Sequence, residues 1–187
     1  MFFLRQKSVD SKILIFVISV GRSGTTSVAL RFGLTHEPAK GITTLAEVKK
    51  RIGDKSFYGE IGHHLLYVAR ELRQEYPNAV FIHLVRDSRK VVKSFQRLNT
   101  RRDNVWLGVK ETPNEFERIC KMWKKGNEIA EGVCDVRVRI EDFSRLLTYA
   151  NERVYFGKVH ADVPWTAEEE SYWEWNCKDM HNRYGYE

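Results

Sequence analysis

The chain alternates short apolar runs with segments in which apolar residues recur every three or four positions. The apolar runs at residues 13–20 and 79–85 are rich in Val, Ile and Leu and are too short to cross a bilayer. They predict strands that are buried on both faces of a sheet. Two further strands are predicted at residues 56–59 and 136–140.

Helical patterns occupy the segments between these strands. Apolar residues spaced i, i+3, i+4, i+7 from Leu65 to Leu72 predict an amphipathic helix over residues 64–75. Thr166 and Glu169 have the spacing of a capping box, which predicts the start of a final helix. Other helices are predicted from the turn after the first strand to near Gly33, over residues 44–51, and around residues 116–123.

This order of strands and helices predicts an α/β fold. Parallel neighbours need crossover connections, so alternating elements imply three layers, with a central, mostly parallel sheet flanked by helices. No Pro-, Ser- or Gly-rich linker divides the chain, so we expect a single domain over residues 1–187. In such sheets ligands bind beyond the carboxyl ends of the strands.

Composition narrows the range of partners. The chain has 31 Lys and Arg against 25 Asp and Glu, and its net charge of +6 suits an anionic cofactor and an anionic acceptor. It lacks zinc-finger spacing, an RNP-like aromatic motif and a long basic run, so we expect no nucleic-acid partner. No apolar segment is long enough to span a membrane, and the three cysteines form no C-x-x-C pair, which predicts a soluble, cytoplasmic protein without a disulfide framework.

The sequence GRSGTTS at residues 21–27 directly follows the first strand and precedes a helix. Its glycines, consecutive amides and hydroxyls are suited to holding a phosphate. The loop departs from the nucleoside-triphosphatase pattern G-x-x-x-x-G-K-[ST], because Ser19 replaces the first glycine and Thr25 replaces the lysine. Arg22 is therefore the nearest cation to the predicted phosphate.

The R-S-G-T-T sequence resembles the phosphosulfate-binding loop of sulfotransferases that depend on 3′-phosphoadenosine 5′-phosphosulfate (PAPS), as in small bacterial or phage-type members. Arg86 at the exit of a later strand, with Ser94 eight residues on, resembles the family's pair that holds the 3′-phosphate. The resemblance implies a P-loop-like fold, PAPS as donor and 3′-phosphoadenosine 5′-phosphate (PAP) as product. The cofactor-binding residues that it implies are Gly21, Arg22, Ser23, Gly24, Thr25, Thr26, Ser27, Arg86 and Ser94.

Sulfuryl transfer also needs charge neutralisation on the leaving phosphate and a base for the acceptor. Arg22 is expected to supply the first. Three residues are candidates for the base: Glu60, where several sulfotransferases carry a glutamate before a lysine; His63; and Glu37, at a position used by some bacterial members that act on sugars. Glu60 is the first choice, although Ile61 replaces the family's lysine.

The expected acceptor is a hydroxyl or amine of a small molecule or carbohydrate, and no metal is required because no γ-phosphate has to be bridged. One alternative is a P-loop nucleotide kinase or other phosphotransferase, which Thr25 in the lysine position disfavours. A second alternative is a non-catalytic nucleotide-binding protein, which Ile61 leaves open.

Overall fold

A computed structural model describes residues 13–38, 43–54, 58–97, 106–109, 114–142 and 164–186. Its centre is a five-stranded sheet with the strand order β2-β3-β1-β4-β5. All neighbouring strands run parallel, which confirms the predicted α/β class. The strands are β1 (Ile15–Ile18), β2 (Thr35–His36), β3 (Gly59–Gly62), β4 (Val80–Val85) and β5 (Val136–Arg139).

Helices connect and cover these strands. The α-helices are α1 (Thr25–Phe32), α2 (Leu45–Ile52), α3 (Ala69–Glu75), α4 (Ser88–Arg97), α5 (Glu115–Glu131), α6 (Ala167–Asn176) and α7 (Lys178–Arg183). Short 3₁₀ helices lie at His63–Tyr67 and Trp106–Gly108. Capping boxes begin α2 at Thr44 and α6 at Thr166, the second as predicted.

The sheet has helices on both faces. Phe16 and Phe81 are paired in register and lie in a buried cluster with Leu65 and Leu72, beneath the helices that follow β3. Val17, on the opposite face of β1, packs in a second cluster that contains Val28 of α1. A third cluster joins α4, α5 and the two C-terminal helices.

Several element boundaries differ from the sequence predictions. A two-residue strand, β2, was not predicted, because two residues are too few to show a period. The strand predicted at 56–59 is observed as Gly59–Gly62, so Glu60 lies inside β3 instead of following it, while residues 55–57 lie outside the described residues. The helix predicted over 64–75 is a 3₁₀ helix followed by α3.

Candidate active site

Four segments meet at the carboxyl edge of the sheet. The loop 21–27 follows β1, Glu37 follows β2, His63 follows β3 and Arg86 follows β4. Because all five strands are parallel, these four connections lie at the same edge. This edge therefore collects the predicted loop, the predicted 3′-phosphate arginine and two of the three candidate bases.

The loop turns through two residues with left-handed backbone conformation, Arg22 (φ 70°) and Gly24 (φ 87°). A Cβ atom on Gly24 would come within 3.0 Å of the Ile140 side chain, so the loop fits closely against the chain after β5. The amides of Ser27 and Val28 bond to the Gly24 carbonyl and begin α1. The first turn of α1 contains no acidic residue, so the positive end of the helix dipole faces this edge without a competing carboxylate from that turn.

Two arginines and a serine join the loop to β4 and α4. The Nε of Arg22 donates a hydrogen bond to Ser94 Oγ (2.9 Å), and Arg86 Nη1 donates to the Arg22 carbonyl (2.9 Å). Among the residues that the structure describes, no carboxylate pairs with either guanidinium. The positive charges of both arginines are therefore available to an anion. Arg22 of the predicted phosphosulfate loop is also in direct contact with Arg86 and Ser94, the pair predicted to hold the 3′-phosphate.

A series of polar side-chain contacts connects the loop, the end of β2 and the residue after β3. His36 Nε2 lies 3.0 Å from Thr25 Oγ1 and 3.4 Å from Thr26 Oγ1. The next residue, Glu37, has a left-handed backbone (φ 38°) and places its Oε1 2.8 Å from His63 Nδ1. The sequence patterns did not indicate His36 as a site residue; the only signal in the sequence is its position beside Glu37.

The Glu37 carboxyl is half-buried and ionised at neutral pH. Burial by itself would raise its pKa, but the hydrogen bond from His63 and the charges of His63, His36 and His64 outweigh that effect and lower the pKa. A carboxylate with a lowered pKa is a weak base, yet it is well suited to orient an imidazole and to stabilise its protonated form.

Gly62, the last residue of β3, has no side chain that would block the space occupied by Glu37. A Cβ atom at this position would lie 2.6 Å from Glu37 Cγ and 2.6 Å from His64 Nδ1. Its φ of 153° is also one that side-chain-bearing residues rarely adopt. Glycine here therefore allows the side chains of Glu37 and His63 to meet.

Glu60 lies in a different environment. Its side chain is fully buried and accepts hydrogen bonds from Arg51 Nε (2.9 Å) and Nη2 (2.7 Å), and a third from His64 Nε2. Burial would raise its pKa, but the bonds from His64 and Arg51 lower it overall. This arrangement favours a structural ion pair over the role of base that the sequence suggested.

Ile61, which replaces the family's lysine, is fully buried in the core and supplies no cation to the edge. Among the described residues, no cluster of His, Cys, Asp and Glu side chains is arranged to hold a metal ion. None of the described helices has the length and apolar character needed to span a membrane.

Comparisons with known proteins concern the family and the fold of the chain. The sequence model of a family described as "Sulfotransferase domain" matches residues 55–187, which include Arg86 and Ser94 but not the loop 21–27. A solved sulfotransferase from Alicyclobacillus acidocaldarius has a similar fold, with a TM-score of 0.50 over 95% of this chain and 97% of that chain. The two sequences are 11% identical, so this likeness concerns the fold alone. A search of curated protein sequences found no match. Because the family match covers more than half of the chain, this protein belongs to the sulfotransferase family.

Proposed function

We propose that this protein transfers a sulfuryl group from PAPS to a hydroxyl or amine of a small-molecule or carbohydrate acceptor. The observation that carries the proposal is the contact between Arg22, Ser94 and Arg86 at the carboxyl edge of the sheet. It joins a phosphate-type loop to a second cationic position, as a nucleotide with phosphate groups at both its 5′ and 3′ ends requires.

Each part of this edge has a distinct task in the proposal. The amides and hydroxyls of residues 24–27 hold the 5′-phosphosulfate, and Arg86 with Ser94 holds the 3′-phosphate. Arg22, which belongs to the loop and contacts both Ser94 and Arg86, neutralises the charge that develops on the leaving phosphate. No lysine follows the loop glycine to reach a γ-phosphate, which argues against a nucleoside triphosphate as substrate.

We assign the base to His63, with Glu37 as its carboxylate partner. Glu37 accepts the Nδ1 hydrogen of His63 and would stabilise the imidazolium that forms. In the reaction the acceptor oxygen or nitrogen bonds to sulfur, and the bond from sulfur to the bridging phosphate oxygen breaks. The departing PAP keeps that electron pair, and His63 takes the acceptor's proton.

A comparison of ligands tests the choice of nucleotide. A ligand that binds only the folded protein stabilises it by about 2.7 kcal/mol at a hundredfold excess over Kd. We therefore expect PAP to raise the thermal midpoint by roughly 5–10 °C. ATP with magnesium should produce little change, and stabilisation by ATP alone would contradict the proposal.

Catalysis is tested separately from binding. Release of PAP from PAPS should depend on an added acceptor when a panel of small alcohols, amines and sugars is screened. A protein that bound PAP but transferred sulfate to no member of a broad panel would instead support the non-catalytic alternative.

We also propose a cytoplasmic location, because Cys120, Cys134 and Cys177 are all free thiols, as in a reducing compartment.

A further inference from the structure

His36 lies between the loop and the proposed base pair. It is the last residue of β2, and its register partner in β3 is Ile61. The side chain is 28% exposed, and its Nε2 contacts the hydroxyls of Thr25 and Thr26, the first two residues of α1. A single ring nitrogen thus contacts two of the hydroxyls that the proposed function assigns to the phosphosulfate.

The hydrogen on this nitrogen determines what the hydroxyls can do. If Nε2 carries no hydrogen, it accepts the hydrogen of Thr25, and that hydroxyl has none left for a ligand. If Nε2 carries a hydrogen, it donates to the hydroxyl oxygen, and the Thr25 hydrogen can point to a bound anion. An anion held by the loop therefore favours the state in which His36 Nε2 is protonated.

The neutral tautomer with its hydrogen on Nε2 and the imidazolium both donate in this way, and the negative charges near the ring favour the imidazolium. Glu37 Oε1 lies 3.9 Å from His36 Nε2, close enough to stabilise a positive imidazole. On the helix side, the first turn of α1 contributes no acidic group. Two basic residues are also near: His63 contacts the same Glu37 oxygen, and Arg22, whose positive charge opposes one on His36, belongs to the same loop as the two threonines. A phosphate on the loop would add a second anion facing the ring.

We propose that His36 is a further residue of the donor site, and that it takes up a proton when the nucleotide binds, which leaves the Thr25 and Thr26 hydroxyls free to donate to phosphate. This inference rests on the proposed function. It makes His36 a third cation of the nucleotide-bound site. The affinity for PAP should then weaken as the pH rises, by up to about tenfold per pH unit for one linked proton.

Calorimetry with the full chain measures this proton directly. Binding of PAP is followed at pH 7 in two buffers of different ionisation enthalpy, such as PIPES and Tris, and the difference in heat gives the number of protons taken up. We compare wild type with His36→Gln, whose amide can donate to Thr25 without titrating. The matched control is His63→Gln, which removes the other histidine that contacts Glu37 Oε1 and leaves the Thr25 and Thr26 contacts of His36 in place.

We expect wild type and His63→Gln to take up more protons than His36→Gln, which should also lose most of the pH dependence of its Kd. Equal uptake in wild type and His36→Gln would overturn the inference while leaving the proposed function intact. Uptake lost in His63→Gln but kept in His36→Gln would assign the proton to His63. If wild type binds no PAP, the proposed function itself fails. Thermal unfolding without ligand verifies that each variant is folded.

Discussion

At the scale of residues, Glu37 and Glu60 carry the same functional group in opposite surroundings. Glu37 lies at the carboxyl edge of the sheet, where it is partly exposed and bonded to His63. Glu60 is fully buried inside β3, with both carboxylate oxygens bonded to Arg51. A proton acceptor needs access to substrate, whereas a buried carboxylate needs partners that compensate for lost hydration.

Substitutions at His63, Glu37 and Glu60 should separate these roles. His63→Gln should lower turnover by about 10²–10⁴-fold with little change in PAP affinity, and Glu37→Gln should lower it by a smaller factor. Glu60→Gln should keep turnover per folded molecule but lose about 3 kcal/mol of stability, because it leaves the partly buried Arg51 guanidinium without its full counter-charge. Steady-state kinetics and urea denaturation measure the two effects. Loss of turnover in a folded Glu60→Gln protein, beside an active His63→Gln protein, would return the role of base to Glu60.

Ser94 provides a narrower test of the nucleotide site. Its hydroxyl already accepts from Arg22, and in the proposal it also donates to the 3′-phosphate. Hydrogen bonds to charged groups contribute about 1.5–3 kcal/mol, so Ser94→Ala should lower the affinity for PAP by roughly tenfold or more. AMP, which lacks the 3′-phosphate, serves as the control ligand and should bind nearly as before. An equal loss for PAP and AMP in calorimetry would show that Ser94 acts by positioning Arg22.

At the scale of elements, a buried histidine fastens β4 to α5. His83 Nε2 donates to Asn127 Oδ1 (2.9 Å), and Asn127 Nδ2 donates to the Trp123 carbonyl (2.7 Å), which fixes the orientation of the amide. Desolvation by burial lowers the pKa of His83 to about 4, although the bond to Asn127 opposes the shift. The histidine is therefore neutral in the folded protein at any pH near neutrality.

This lowered pKa should make stability depend on pH. Unfolded His83 binds a proton below about pH 6.5, whereas the folded form does so only near pH 4. The contribution of His83 to the free energy of unfolding is therefore complete above pH 6.5 and is lost as the pH falls towards 4. At pH 5 the loss should be about 2 kcal/mol. Urea denaturation at pH 5 and 7 should show this increment in wild type but not in His83→Gln, which keeps a donor for Asn127. The same pH difference in both proteins would show that other groups cause it.

The elements that sequence predicted well are those with a long periodic signal or a chemical signature. The apolar strands, the capping box at Thr166 and the loop at residues 21–27 have local causes. β2 and the true extent of β3 depend on pairing with strands far along the chain, so a local pattern does not show them. For the same reason the sequence indicated Arg22, Arg86 and Ser94 separately, while their mutual contacts and the role of His36 became visible only in the fold.

At the scale of the whole molecule, the C-terminal segment returns to the edge that carries the candidate site. Tyr186 Oη donates to Glu141 (2.7 Å) and contacts the carbonyl of Val85, the residue before Arg86. Arg139 Nη1 donates to the Gly185 carbonyl (2.8 Å), which ties the same segment to the end of β5. Residues 185 and 186 thus contact the ends of β4 and β5 and help to fix the strand that positions Arg86.

The central place of β1 has a consequence for how this chain must fold. β1 bonds to β3 on one side and to β4 on the other, yet it precedes both in the chain and lies outside the region 55–187 that matches the family. A ribosome therefore releases an apolar strand that has no partner until residues 59–62 have been made, and whose second edge stays unpaired until residues 80–85 follow. A fragment confined to residues 55–187 would leave β3 and β4 with no strand between them, so the stretch that matches the family is not expected to fold by itself.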